Sequence, residues 1–198
     1  MTKFLLIRHA TTDTVGKRLS GRTAGVSLNE NGVSQAHRLA ERLSGLPINA
    51  LYSSPLERAV ETAAPIAQAQ GLETIISEDF LEMNFGNWTN RTFEELNHDF
   101  QFQLFNSFRS STRIPGGELM LEAQSRIITG LEQLRAKHPH ETVAIVSHAD
   151  LIKAAVAYYA GIHLDMFQRL EISPASVSVI EMYDETARIM VVNDTGGF

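Results

Sequence analysis

The run Phe4-Leu5-Leu6-Ile7 constrains this chain most. It stops at once on Arg8-His9. Four large apolar residues in succession predict a strand covered on both faces, which is the habit of a parallel sheet with helices on either side. Such a strand delivers whatever follows it to the carboxyl edge of the sheet, where open α/β folds hold their ligands. Here that is a guanidinium, which forks onto phosphate or carboxylate, and an imidazole, which attacks or exchanges a proton.

The remaining segments fit the same plan. Residues 10–27 are polar and carry Gly16, Gly21 and Gly25, a long loop of the kind that carries function. Asn29 is placed to cap a helix running to about Ser44, with Val33, Ala36, Ala40 and Leu43 as its inner face. A short strand is predicted over 48–52. Ser53-Ser54-Pro55 reads as a helix start with serine at the cap and proline in the first turn. That helix should turn Ala59, Val60, Ala63 and Ala67 inward and end at Gly71, with Pro65 as a possible kink. A third strand is predicted over 72–77. Residues 78–116 interleave many phenylalanines and Trp88 with polar residues, which suggests a loop and then one or two helices from Thr92 to Ser107, forming a cap over the sheet edge. After the break at Pro115-Gly116-Gly117, Met120, Ala123, Ile127, Leu131 and Leu134 mark a long helix. Thr142–Val146 reads as a strand ending on Ser147-His148, and 149–160 as a helix stopped by Gly161. The segment 175–192 reads as an antiparallel hairpin about Asp184-Glu185-Thr186. Alternating strands and helices predict an α/β fold, a three-layer arrangement with a mostly parallel central sheet, a C-terminal hairpin and a helical cap, all within one domain over 1–198.

Three predicted strand ends then meet at one edge: Arg8-His9, Ser53-Ser54-Pro55 with Arg58 just beyond, and Ser147-His148. Two arginines, two histidines and helix N-termini at one place make a pocket for a phosphoryl group. The background is acidic, with a formal net charge of -6, which argues against nucleic acid or an anionic membrane as partner. With no cysteine, thiolate chemistry, disulfides and cysteine metal sites are excluded. His138-Pro139-His140 has no further ligands beside it and reads as a solvated turn. No run is long enough to span a bilayer, so a soluble, cytoplasmic protein is the expectation.

These blocks also resemble a known family. Leu6-Ile7-Arg8-His9-Ala10-Thr11, Ser53-Ser54-Pro55-Leu56-Glu57-Arg58-Ala59, Leu81-Glu82 with Phe85-Gly86-Asn87-Trp88, Pro115-Gly116-Gly117-Glu118 and Val146-Ser147-His148 are similar, in order, to the signature blocks of the histidine phosphatase (phosphoglycerate-mutase-like) superfamily. The resemblance implies a phosphomonoester hydrolase that needs neither metal nor cofactor and acts on a small phosphorylated metabolite. His9 would be the nucleophile and Glu82 the general acid, then base. Arg8, Arg58 and His148 would clamp the phosphoryl oxygens, and backbone N–H groups near Thr11, Gly21 and Ala149 would complete the cradle. The nucleophile must be neutral, and two nearby guanidiniums favour that state. A carboxylic acid in a partly dry, aromatic-walled site is suited to donate a proton.

The chain departs from the family pattern at four places. Ala10 replaces a glycine, Ala149-Asp150 replaces a glycine pair, Val15 stands where mutases carry asparagine, and the loop Gly21–Leu28 lacks an aspartate. Together they line the leaving-group side of the pocket; Val15, with the limited room for an enclosing lid, favours a hydrolase over a phosphomutase, and the presence of both His9 and Glu82 favours one over a non-catalytic phosphate binder. The chain's own oligomeric state is open, with pairing through the C-terminal hairpin as one route.

Overall fold

The computed structural model describes residues 1–196. Its sheet has six strands in the order β3-β2-β4-β1-β5-β6, formed by β1 (Thr2–Arg8), β2 (Ala50–Ser53), β3 (Thr74–Ile76), β4 (Thr142–Ser147), β5 (Val177–Met182) and β6 (Ala187–Asp194). Strands β1 to β4 are mutually parallel where they pair, and β5 and β6 run antiparallel as the C-terminal hairpin. The helices are α1 (Glu30–Leu43), α2 (Glu57–Gln70), α3 (Phe93–Asn97), α4 (Phe100–Ser107), α5 (Met120–Lys137) and α6 (Ala149–Ala160). Short 3-10 turns at Glu78–Phe80, Gly86–Trp88 and Leu164–Arg169 complete the described elements.

The apolar run of β1 serves two cores because successive side chains point to opposite faces. Leu5 and Ile7 join Leu51, Val146, and the alanine-rich faces of α1 and α2. Phe4 and Leu6 join Tyr52, Val143, Ile145, α5, α6 and the aromatic residues Phe80, Trp88, Phe102 and Phe105. Sheet and flanking helices thus form the three layers, and the aromatic segment is folded into one of the two cores. Trp88 is held edge-on by Phe102 and Phe105 at ring-centroid distances of 5.3 and 5.4 Å.

The structure differs from the sequence reading in several local details. Val33 is 47% exposed, and the first turn of α1 instead meets the molecule through Gly32, where a Cβ would stand 2.0 Å from the Thr11 carbonyl oxygen. Helix α2 begins at Glu57 rather than at Pro55, with Leu56 as its uncapped N-cap residue. The Ser54 hydroxyl lies ahead of the helix rather than at its cap, where it accepts from the Leu56 amide at 3.4 Å and meets His148 Nε2 at 2.8 Å. Val60 and Ala67 are only half-buried, while Ile66 joins Ala59 and Ala63 in the core. Pro65 is accommodated without ending α2. Strand β3 is shorter than the predicted 72–77, consistent with its place at the sheet edge and its exposed Ile75 and Ile76.

Candidate active site

Strands β2, β4 and β1 are neighbours, so their carboxyl ends lie side by side. Arg8 is in register with Ser147, the His9 amide donates to the Ser147 carbonyl at 2.9 Å, and the Ser54 amide donates to the Val146 carbonyl at 2.9 Å. The three strand ends singled out in the sequence therefore meet. Beside them is a cleft of about 160 Å³ whose lining includes Arg8, His9, Arg58, Glu82, Ala149 and Asp150.

His9 is buried, and its Nδ1 lies 2.7 Å from the Ala10 carbonyl oxygen. A carbonyl only accepts, so this contact assigns the ring proton to Nδ1 and leaves the Nε2 lone pair for chemistry. Burial, then Arg58 and Arg8, push the imidazole pKa down to about 3, so the ring is neutral at ordinary pH. The turn after His9 is tied to α2: the Ala10 amide donates to Thr62 Oγ1 at 2.9 Å, and that hydroxyl donates to the Arg58 carbonyl at 2.6 Å. Ala10 lies outside the left-handed region, which among described non-glycine residues is occupied by Asn90, His140, Ala175 and Asn193. Alanine in the family's glycine position is thus free of backbone strain here.

His148 is fully buried, with its ring centroid 5.2 Å from that of His9. Burial and the neighbouring His9 and arginines hold its pKa well below the ordinary value. Its Nδ1 lies 3.5 Å from Arg58 Nη2 and 3.8 Å from Glu82 Oε2. Arg58 donates through Nη2 to the Gly21 carbonyl at 2.7 Å, and Arg8 donates through Nη1 to the Ile172 carbonyl at 2.6 Å. Each guanidinium retains a buried N–H with no partner among the described residues, Nε on Arg8 and Nη1 on Arg58. Buried donors of this kind are costly unless something accepts from them, and the oxygens of a phosphoryl group would do so.

Glu82 lies between two of the 3-10 turns. Its Oε1 accepts from the Met83 amide at 2.8 Å. Burial and then the negative charge of Asp150 outweigh the two arginines and raise its pKa to about 7. The loop that carries it is held by Arg22, Glu118 and Arg126. Arg22 donates to the Glu82 carbonyl at 2.7 Å and pairs with Glu118 at 2.8 Å. Glu118 Oε2 accepts from the Asn84 amide at 2.8 Å, and Arg126 donates to the Leu81 carbonyl at 2.6 Å. Spacing alone does not reveal this brace, because its members come from the loop after β1, the Gly-rich break and α5.

The three predicted backbone contributors differ in placement. Gly21 and Ala149 line the cleft. The Thr11 amide instead donates to Gln35 Oε1 at 2.9 Å, so it is already engaged, and it is Thr12 that faces the cleft. Of the aromatic residues, Phe85 and Phe93 reach the cleft wall, whereas Phe80, Trp88 and Phe105 belong to the core. Among the described residues no group of three metal-ligating side chains is assembled, and no helix is long and apolar enough to cross a membrane.

A mostly parallel α/β sheet whose carboxyl edge presents a neutral histidine between arginines defines a class of phosphoryl-transferring enzymes. The chain belongs to the histidine phosphatase superfamily (branch 1), whose family model matches residues 4–195. It is 32% identical to phosphoserine phosphatase 1 of Hydrogenobacter thermophilus over 98% of this chain and 93% of that one. Its structure is similar to that of YhfR from Bacillus stearothermophilus, with a TM-score of 0.91 and 27% identity over 96% of each chain. It is also similar to a histidine-to-alanine mutant of phosphoserine phosphatase from Entamoeba histolytica in complex with phosphoserine, with a TM-score of 0.89 and 28% identity over 99% of this chain and 98% of that one. The enzyme class is that of a phosphomonoester hydrolase.

Proposed function

We propose that the protein hydrolyses a small phosphomonoester through a phosphohistidine on His9. The observation that carries this reading is the pairing, in one cleft, of a neutral imidazole whose Nδ1 is locked to Ala10 with two guanidiniums that each hold a buried N–H in reserve. The Nε2 lone pair of His9 attacks phosphorus, and the bond to the leaving oxygen breaks. Glu82, raised to about 7, gives its proton to that oxygen as the alcohol departs. A water then attacks the phosphohistidine and passes a proton to the Glu82 carboxylate. The phosphorus–nitrogen bond breaks, and His9 returns to its neutral form. Arg8, Arg58 and His148 offset charge on the phosphoryl oxygens throughout, with amides near Gly21 and Ala149 as further donors.

Residues 78–116 act as the substrate-selecting part of a single domain, since Glu82, Phe85 and Phe93 of this segment all line the cleft. The net charge of -6 supports a small-molecule partner over nucleic acid. The test is a panel of phosphomonoesters, with and without EDTA, read as free phosphate and as acid-labile phosphoenzyme. The wild type should release phosphate in both conditions, and His9→Ala should lose both signals. Release that survives His9→Ala refutes the covalent route. Abolition by EDTA refutes the metal-free one, and exchange of phosphate between substrate hydroxyls without release makes the protein a mutase.

A further inference from the structure

Of the charged residues that line the cleft, Arg8, Arg58 and Glu82 have places in the transfer of a phosphoryl group, whereas Asp150 bears on it only through its charge beside Glu82. A carboxylate beside a site for a dianion repels it, so its presence there calls for a reason. The side chain is held in place from behind. Its Oδ2 lies 3.3 Å from Nη1 of Arg109. That guanidinium sits between the rings of Phe105 and Phe167, 4.4 Å from each centroid, and donates to Asn106 Oδ1 at 2.6 Å. Arg109 is 5% exposed and Asp150 20%, so the cation of the pair is inside and the anion faces the cleft. The other oxygen, Oδ1, takes no hydrogen bond from a described residue. An acidic residue in the first turn of α6 also complements the helix dipole, but that effect does not require it to line the cleft. Glu82 and Asp150 are the two acidic residues of the lining.

We infer that Asp150 is a specificity-determining residue whose carboxylate receives an ammonium group on the leaving alcohol, so that the preferred substrates are phosphate esters of amino alcohols or hydroxy amino acids. The inference rests on the phosphatase reading. The substrate then carries its dianion to Arg8, Arg58 and His9 and its cation to Asp150, matching the two signs of charge in the cleft. Esters with a hydroxyl in place of the ammonium gain no such pairing.

Two matched pairs test this: phosphoethanolamine against 2-hydroxyethyl phosphate, and O-phosphoserine against 3-phosphoglycerate. Each pair exchanges ammonium for hydroxyl and keeps the rest. In the wild type kcat/KM should favour the ammonium ester of each pair. Asp150→Asn should shrink that ratio by about tenfold or more, and Asp150→Glu should restore part of it. A ratio that Asp150→Asn leaves unchanged, with both esters losing equally, overturns the inference and leaves Asp150 acting through Glu82 or through packing alone. If Asp150→Asn fails to fold because Arg109 loses its partner, the double variant Arg109→Gln/Asp150→Asn removes the buried cation as well and is read by the same ratio. Calorimetric binding of the four esters to His9→Ala protein reports the preference independently of turnover. A chain that binds them with the ammonium preference yet releases phosphate from none refutes the phosphatase reading and keeps the subsite. Turnover without the preference does the reverse.

Discussion

Replacing Glu82 by glutamine tests the proton donor directly. The amide keeps an oxygen for the Met83 N–H, which Glu82 Oε1 accepts at 2.8 Å, but it has no acidic proton to give. Loss of a general acid removes about 10²–10⁴ in rate, or roughly 3–5 kcal/mol of barrier lowering. That loss should fall on esters of poor leaving groups. A nitrophenolate departs without help, so 4-nitrophenyl phosphate should be affected far less than an alkyl phosphate. The wild type adds a second signature. In the proposed mechanism the protonated form of Glu82 is the active acid, and with a pKa of about 7 it is present below that value and lost above it. Phosphorylation of His9 by an alkyl ester should therefore fall about tenfold for each unit of pH above roughly 7. His9 itself stays neutral down to about pH 3 and sets no limb in that range. The assay is kcat/KM and burst amplitude for both esters, wild type and variant, between about pH 5 and about pH 9. Equal losses for the two esters, or an alkaline limb that survives Glu82→Gln, would show that the proton comes from elsewhere.

Three further outcomes follow from the geometry. Because the folded state holds His9 neutral down to about 3 while the unfolded chain protonates it at the ordinary 6.5, stability should fall as pH drops through that window; His9→Asn should flatten the urea-measured slope by up to ~1.4 kcal/mol per pH unit. Gly86→Ala should cost about 1–3 kcal/mol and lower kcat with it, since Gly86 has φ +47 and a Cβ there would stand 2.3 Å from the Pro115 carbonyl oxygen, on the loop that carries Glu82; thermal unfolding and kinetics on one preparation check both effects. Ala10→Gly should restore the family residue without benefit, lowering stability by about 0.5–1 kcal/mol and leaving kcat/KM within about twofold, because Ala10 does not occupy a positive-φ conformation.

What was legible in the sequence was what regular elements dictate. Strand ends are set by where an apolar run stops, so Arg8, His9 and His148 could be placed before any coordinates. The inner face of α5 was equally readable, since Met120, Ala123, Ile127, Leu131 and Leu134 repeat at helical spacing and all are buried. Legibility failed where a side chain had two possible employments. Ser54 looks like a helix cap, but its hydroxyl meets His148, and α2 begins later. Arg22 belongs to a polar, Gly-rich loop with nothing in the sequence to mark its partners, but it braces the Glu82 loop across to Glu118. The Thr11 amide looked available to a ligand, but Gln35 from α1 accepts from it. Such partners lie far apart in the chain and share no periodicity, so no local pattern announces them. Asp150 was visible as a departure from the family, but its role could be argued only once Arg109 was seen buried behind it between two rings.

The strand order also has a consequence for biosynthesis. Strand β1 carries Arg8 and His9 yet lies between β4 and β5, which pair with it along nearly its whole length. It is translated before the other five strands and must wait for partners that lie more than 130 residues further along, β4 from Thr142 and β5 from Val177. Until β4 emerges, His9 has neither the Ser147 carbonyl for its amide nor His148 beside it. A growing chain on the ribosome therefore holds the proposed nucleophile within an incomplete clamp, and the ability to take up phosphate should switch on late, when the sheet closes about β1.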